Sequence, residues 1–190
     1  MTIIAAYRDD DSNTYLSADT YGFDGSIKTA CGSKIVKISD TMILGIAGSY
    51  RIRDFLQEKS ERIADEERRS LRNALILIRN DYRALMKEEN GNKEGIVSGV
   101  ILGITRGSLF QMQSDGSIFE NVGLDRENTA LSAIGAGYEI AYGAMWTLNN
   151  CLPYHQGPTG DQIVSNAVKA ACAISIYCKD PDIVYSIKHD

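Results

Sequence analysis

The order of strand-like and helix-like segments is the feature that most limits the folds open to this chain. Short apolar runs rich in β-branched residues predict strands at residues 2–7, 14–18, 35–38, 42–46, 96–104, 109–112, 131–134 and 182–187. Apolar residues at helical spacing predict helices at residues 50–67, 71–87, 138–148 and 160–176. The strands therefore come in runs separated by paired helices, without the strict alternation of βαβ units. This order predicts an α+β fold in which antiparallel sheets lie inside and helices cover them.

Turn signals join several of these segments. The acidic stretch at residues 9–13 reads as the turn of a hairpin between the first two strands. A cation-binding loop is the alternative there, but the later glycine and glutamate of a calcium loop are missing. Asp24-Gly25 predicts a second turn. Thr159 and Gln162 have the spacing of a helix capping box.

Length and charge bound the class of protein. A chain of 190 residues without an internal repeat or clear linker is expected to form a single domain, residues 1–190. Its net charge of −5 argues against a general nucleic-acid binder, which carries a basic footprint. Three arginines do cluster at positions 68, 69 and 72, but two glutamates precede them, which is typical of a solvated helix face.

The cysteines and the apolar runs indicate the compartment. No secretory signal opens the chain, and no apolar run approaches the ~20 residues of a membrane span. The four cysteines are therefore expected to be free thiols in a reducing cytoplasm, with no membrane partner. Zinc is not expected, because Cys172 and Cys178 lack CxxC spacing and the chain has only two histidines.

The histidines do not suggest a catalytic base. His155 lies in a loop rich in proline and glycine, His189 stands beside the C-terminus, and the chain has no GxSxG motif. Met1-Thr2 offers a different base. Removal of Met1 would give Thr2 a free α-amine, whose ordinary pKa of about 7.7–8.0 lets it accept a proton near neutral pH. An N-terminal threonine thus carries nucleophile and base in one residue, although many proteins begin Met-Thr without catalytic meaning.

Six short motifs stand in order along the chain: TIIAAY from Thr2, LSAD ending at Asp19, GSKIVKI around Lys34, LGIAGS around Gly48, AIGAGYEIAYGA at residues 133–144 and AACAISIY at residues 170–177. In this order they resemble proteasome β subunits and most of all the bacterial HslV peptidase type. The likeness covers nearly the whole chain. It implies a four-layer αββα sandwich, an N-terminal threonine nucleophile and assembly into stacked rings that enclose a proteolytic chamber.

The resemblance also implies roles for four residues. Thr2 would attack the scissile carbonyl, and its amine would take the hydroxyl proton and return it to the leaving group. Lys34 would favour the deprotonated amine and stabilise developing negative charge, while Asp19 would hold Lys34 in place. The N–H of Gly48 would donate to the oxyanion. Taken alone, Asp19 also fits a turn, Lys34 a surface lysine and Gly48 a strand-to-helix corner.

Four positions depart from the family pattern. Ala136 stands where the family often has serine between two glycines, and Ile3 stands where many relatives have a second threonine. Ser175 and Cys178 stand where proteasome subunits often carry aspartate and serine near the end of the last helix, although HslV-type subunits also lack that aspartate. These differences bear on rate and geometry more than on the class of reaction. They are expected of a diverged bacterial or phage homologue.

The resemblance further implies ligands and partners. No cofactor is required, but the main-chain carbonyls of Cys172, Ser175 and Cys178 would hold a monovalent cation such as sodium. A free helix C-terminus without a metal explains the same segment.

By position, Gly32, Val36, Ile46 and Tyr50 would line the specificity pocket, and the apolar pair among them hints at cleavage after apolar residues. The chain would form a homo-oligomeric ring that takes polypeptide substrates from an AAA+ ATPase unfoldase. Two alternatives share the fold: an inactive ring or scaffold protein, and an amidohydrolase of small molecules.

Overall fold

The computed structural model describes residues 2–23, 28–30, 33–91, 98–120, 122–123, 129–151, 157–174 and 184–189. The strands within this part of the chain are β1 (Ile3–Arg8), β2 (Thr14–Ala18), β3 (Tyr21–Phe23), β4 (Lys28–Ala30), β5 (Ile35–Lys37), β6 (Met42–Gly48), β7 (Gly99–Thr105), β8 (Ser108–Met112), β9 (Ile118–Glu120), β10 (Ala130–Gly135) and β11 (Tyr185–Ile187). The helices are α1 (Tyr50–Glu58), α2 (Ser60–Arg69), α3 (Leu71–Gly91), α4 (Tyr138–Asn150) and α5 (Gly160–Ile174).

The strands form two main antiparallel sheets and a small separate pair. One sheet has the order β10-β1-β2-β11, and the other has the order β5-β6-β7-β8-β9. Strands β3 and β4 pair only with each other. Strand β1 is central to the first sheet, with Ile3 opposite Gly135 of β10 and Ile4 opposite Ala18 of β2. The start of the chain is therefore held by hydrogen-bonded strands on both sides of β1.

Three apolar clusters separate four layers. The middle cluster lies between the two sheets and includes Ile4, Leu16 and Leu102. A second lies between the five-stranded sheet and helices α1 to α3, and a third between the four-stranded sheet and helices α4 and α5. Side chains alternate along β1 and so enter two of these clusters. Ile4 and Ala6 face the other sheet, while Ile3 and Ala5 face helices α4 and α5. The predicted αββα sandwich is confirmed.

The hairpin turn and one helix cap also match the sequence. The Asp9 carboxylate accepts hydrogen bonds from the backbone and side-chain nitrogens of Asn13, at 2.7 and 2.9 Å, and closes the turn between β1 and β2. Thr159 N–H donates to the Gln162 side-chain oxygen at 3.0 Å, which is one half of the expected capping box. The predicted turn at Asp24-Gly25 lies outside the described residues.

One predicted helix was wrong in its continuity. Residues 50–67 form two helices that break at Lys59, whose backbone angles are φ −91° and ψ 2°. Residues 50–69 contain no proline or glycine, so local propensity gives no reason for the break. The two segments bury Ile52 with Leu56 and Ile63 with Ala64, and all four residues belong to the same apolar cluster. No helix in the described part of the chain is long and apolar enough to cross a membrane.

Candidate active site

A small pocket opens where both sheets and the start of α1 meet. The described residues that line it are Thr2, Lys34, Ile46, Gly48, Ser49, Tyr50 and Arg53. Three of the four residues predicted to be catalytic are among them. The fourth, Asp19, lies directly behind Lys34. Residues far apart in the sequence are therefore brought together at one end of the sandwich.

A buried ion pair forms the floor of this region. The Lys34 ammonium lies 2.7 Å from Asp19 Oδ1, and the two side chains are 1% and 0% exposed. The same carboxylate oxygen accepts a hydrogen bond of 2.7 Å from the backbone N–H of Ile3. The N–H of Asp19 in turn donates to the Ile3 carbonyl at 3.1 Å. Asp19 thus anchors both the cation and the backbone next to Thr2.

The strands explain why these two charges meet. Asp19 directly follows β2, which pairs with β1, so it stands beside the first residues of the chain. Lys34 directly precedes β5, and its carbonyl accepts a hydrogen bond of 3.0 Å from the N–H of Ile46 in β6. The two sheets therefore supply one charge each. Burial of an isolated charge is costly, and pairing offsets that cost.

Gly48 ends β6 at a corner that only glycine fits easily. Its φ of +139° is rarely adopted by other residues, and a Cβ at this position would clash with the Ser98 carbonyl and the Gly99 backbone. The next residue, Ser49, donates its N–H to the Ser98 carbonyl at 3.0 Å and accepts from Arg51 N–H at 3.3 Å as the cap of α1. The chain thus turns from sheet to helix beside Thr2, with exposed glycine backbone at the turn.

The turn at Gly135, Ala136 and Gly137 holds Thr2 from the other side. Both glycines have positive φ, +95° and +96°. A Cβ at Gly135 would clash with the Thr2 carbonyl oxygen, so glycine is required for the close approach of β10 to the chain start. The sequence indicated this turn only through the family resemblance. Ala136 offers no hydroxyl there.

The predicted substrate-binding residues fall in three places. Ile46 and Tyr50 line the pocket. Val36 is buried in the cluster beneath α1 to α3, and Gly32 lies outside the described residues. Arg53 also lines the pocket but was not predicted from the sequence. It follows Tyr50 by three positions on α1 and so shares its face, and this spacing is the one sequence signal that could have indicated it.

The predicted cation site cannot be placed in the same way. Cys172 is half-buried on α5, while Ser175 and Cys178 lie outside the described residues. Within the described residues, no group of three or more histidine, cysteine or acidic side chains is arranged to hold a metal ion. A site built from main-chain carbonyls would leave no such side-chain cluster, so sodium binding stays a prediction.

The arrangement has a definite chemical capacity. A threonine hydroxyl, a buried cation and an exposed glycine backbone face the same pocket. A cation near a nucleophile lowers the pKa of groups that lose a proton there. Such a pocket can assist attack on a carbonyl and stabilise the negative charge that develops.

Comparison with known proteins supports the fold. No protein-family model and no curated protein matches the sequence. Among solved structures, eukaryotic HslV from Trypanosoma brucei is 20% identical, with a TM-score of 0.75 over 100% of both chains. The bacterial proteasome homologue BPH of Thiobacillus denitrificans, in complex with epoxomicin, is 16% identical, with a TM-score of 0.68 over 99% of both chains. A second structure of BPH has a TM-score of 0.66 at 16% identity, over 100% of this chain and 99% of that one. This chain therefore has the same fold as HslV and BPH.

Proposed function

We propose that the protein is a threonine-type endopeptidase whose nucleophile is Thr2 after removal of Met1. The observation that carries the proposal is the convergence of Thr2, the buried Lys34–Asp19 pair and the Gly48 corner on one pocket. The pocket lies in a fold shared with HslV and with a BPH that binds epoxomicin. Fold alone does not define chemistry, so the residues of the site support the proposal.

The residues suggest a two-step reaction. Thr2 Oγ forms a bond to the scissile carbonyl carbon while the Thr2 amine, directly or through a water, accepts the hydroxyl proton. The Gly48 N–H donates to the oxyanion, and the Lys34 cation keeps the amine deprotonated. The carbon–nitrogen bond then breaks, and the proton passes to the leaving amine. Water hydrolyses the resulting ester and regenerates Thr2.

The assembly belongs to the same proposal. In it, copies of the chain form stacked rings in the cytoplasm, with an AAA+ unfoldase delivering polypeptides. The full-length likeness to HslV supports this arrangement. Native mass spectrometry of the purified protein tests it. A mass of six or more chains is expected, and a monomer under all conditions would contradict the ring.

Intact mass and N-terminal sequencing test the catalytic proposal. The purified protein is incubated with and without epoxomicin, the molecule found with BPH. The expected result is loss of Met1 and a mass increase of one epoxomicin, located on Thr2. Thr2→Ala is the matched control, because alanine also permits methionine removal but lacks the hydroxyl. Retained Met1 with no adduct would contradict the proposal and favour the inactive scaffold.

A further inference from the structure

The pocket beside Thr2 carries an arginine that the catalytic proposal does not use. Arg53 lines the pocket together with Ile46 and Tyr50, and it belongs to the first turns of α1. Its side chain is 25% exposed, so the guanidinium is partly withdrawn from water without being sealed off. A cation placed this way is a recognition group for an anion.

The guanidinium is held in a defined position. It lies 5.1 Å from the centre of the Tyr50 ring, a distance typical of a cation–π contact. One of its nitrogens is 3.5 Å from the Ser33 carbonyl, directly before Lys34. Two others donate to Asp54 Oδ1 at 2.9 and 2.6 Å. Contacts on three sides reduce the entropy that Arg53 would lose on binding a ligand.

The charges around the pocket favour an acidic group. The described lining residues include two cations, Lys34 and Arg53, and no carboxylate. Lys34 is already paired with Asp19 in the interior. Asp54, the partner of Arg53, is 63% exposed, so water screens its side of the pair. A substrate carboxylate can therefore compete with Asp54 for Arg53.

We propose that Arg53 selects substrates whose side chain next to the scissile carbonyl carries a carboxylate. This rests on the proposed function, because the pocket adjoins the nucleophile of that reaction. Glutamate combines methylene groups that match the apolar Ile46 with a carboxylate that matches the guanidinium. This preference differs from the apolar preference that the sequence suggested. Arg53 is a specificity residue in this scheme and takes no part in bond breaking.

The test compares three peptide substrates that differ only in the residue whose carbonyl is attacked: glutamate, glutamine or leucine. Each releases the same fluorescent amine, and kcat/KM is measured for the processed full-length protein. Glutamate and glutamine have nearly the same shape, so their ratio isolates the charge. The wild-type ratio is expected to be about tenfold, the size typical of a partly exposed charged hydrogen bond. Added salt should lower the ratio.

Four variants make the assignment specific. Arg53→Gln should bring the ratio close to one, and Arg53→Lys should keep part of it because the charge remains without the planar fork. Asp54→Asn should raise the ratio by removing the competing carboxylate. Arg51→Gln is the matched control, since it removes an exposed arginine of the same helix that does not line the pocket. It should leave the ratio unchanged.

The outcomes separate this inference from the proposed function. Equal wild-type rates on all three substrates, or faster cleavage after leucine alone, would overturn the role of Arg53 and leave the peptidase standing. A ratio unchanged in both Arg53→Gln and Asp54→Asn would also overturn it. No cleavage of any substrate and no epoxomicin adduct on Thr2 would overturn both. Thermal unfolding of each variant identifies changes in ratio that come from misfolding.

Discussion

Replacing Lys34 by methionine should destabilise the protein strongly. Methionine has a similar length but no charge, so Asp19 would stay buried at 0% exposure without its cation. Removal of one partner from a buried ion pair costs about 3–5 kcal/mol. Whole domains are stable by only about 5–15 kcal/mol, and for a chain of this size the loss corresponds to a drop in melting temperature of roughly 6–20 °C.

Asp19→Asn and the double variant Asp19→Asn/Lys34→Met complete the cycle. Asparagine can still accept the Ile3 N–H through its oxygen, so the single variant separates loss of charge from loss of that hydrogen bond. The double variant leaves no buried charge unpaired. Its cost should therefore be clearly smaller than the sum of the two single costs.

Urea unfolding measured by circular dichroism is the assay. Fluorescence is less suitable because the single tryptophan, Trp146, is already 51% exposed in the folded protein. Lys37→Met is the matched control, since Lys37 forms a 2.6 Å pair with Asp40 in which the side chains are 54% and 93% exposed. Stability should not change measurably there. A cost for Lys34→Met below about 1 kcal/mol, or strict additivity in the cycle, would refute the reasoning.

Two further predictions concern the backbone around the site and the alkaline limit of stability. Gly135→Ala should displace Thr2, because the new Cβ would clash with the Thr2 carbonyl oxygen, and it should abolish the epoxomicin adduct. Gly143→Ala, on an open helix face, should add about 0.5–1 kcal/mol of stability. Equal effects of the two variants on stability would contradict the steric argument. Burial raises the pKa of Tyr82, whose hydroxyl donates to the Gly99 carbonyl at 2.9 Å. The contribution of Tyr82 to stability is therefore complete below pH 10 and is lost as pH rises further. Tyr82→Phe should reduce this loss of stability when unfolding is measured from neutral to alkaline pH. The variant should cost about 1–2 kcal/mol of stability near neutral pH.

The layer order could be predicted because it depends on periodicity. Alternation and β-branched runs located β1, β2, β5 and β6 within a few residues, and helical spacing located the region of α1 to α3 and the pair α4 and α5. The break at Lys59 could not be predicted, because residues 50–69 contain no proline or glycine to mark it. Strand β9 was missed for a related reason. It is a short edge strand whose residues are half-buried or exposed, so its sequence shows no buried face.

Only part of the site could be predicted from the sequence. Thr2, Asp19, Lys34 and Gly48 were indicated by their order in family-like motifs, since each alone has an ordinary structural explanation. Arg53 was missed because a charged residue on an amphipathic helix usually faces solvent. Only the packing of α1 over the end of β6 turns it toward Thr2. Roles that depend on where a helix docks are not encoded in local pattern.

The buried pair supports a functional rather than a stabilising reading of the site. A buried ion pair gains little over well-packed apolar residues of the same volume, because desolvation offsets the attraction. Asp19 and Lys34 nevertheless lie in the interior, although the buried residues next to them in the sequence, Ala18 and Ile35, are apolar. Two glycines with positive φ, Gly48 and Gly135, add further restrictions around Thr2. Features that cost stability, such as a buried ion pair and glycines with positive φ, are expected to cluster at functional sites, and here they cluster around Thr2.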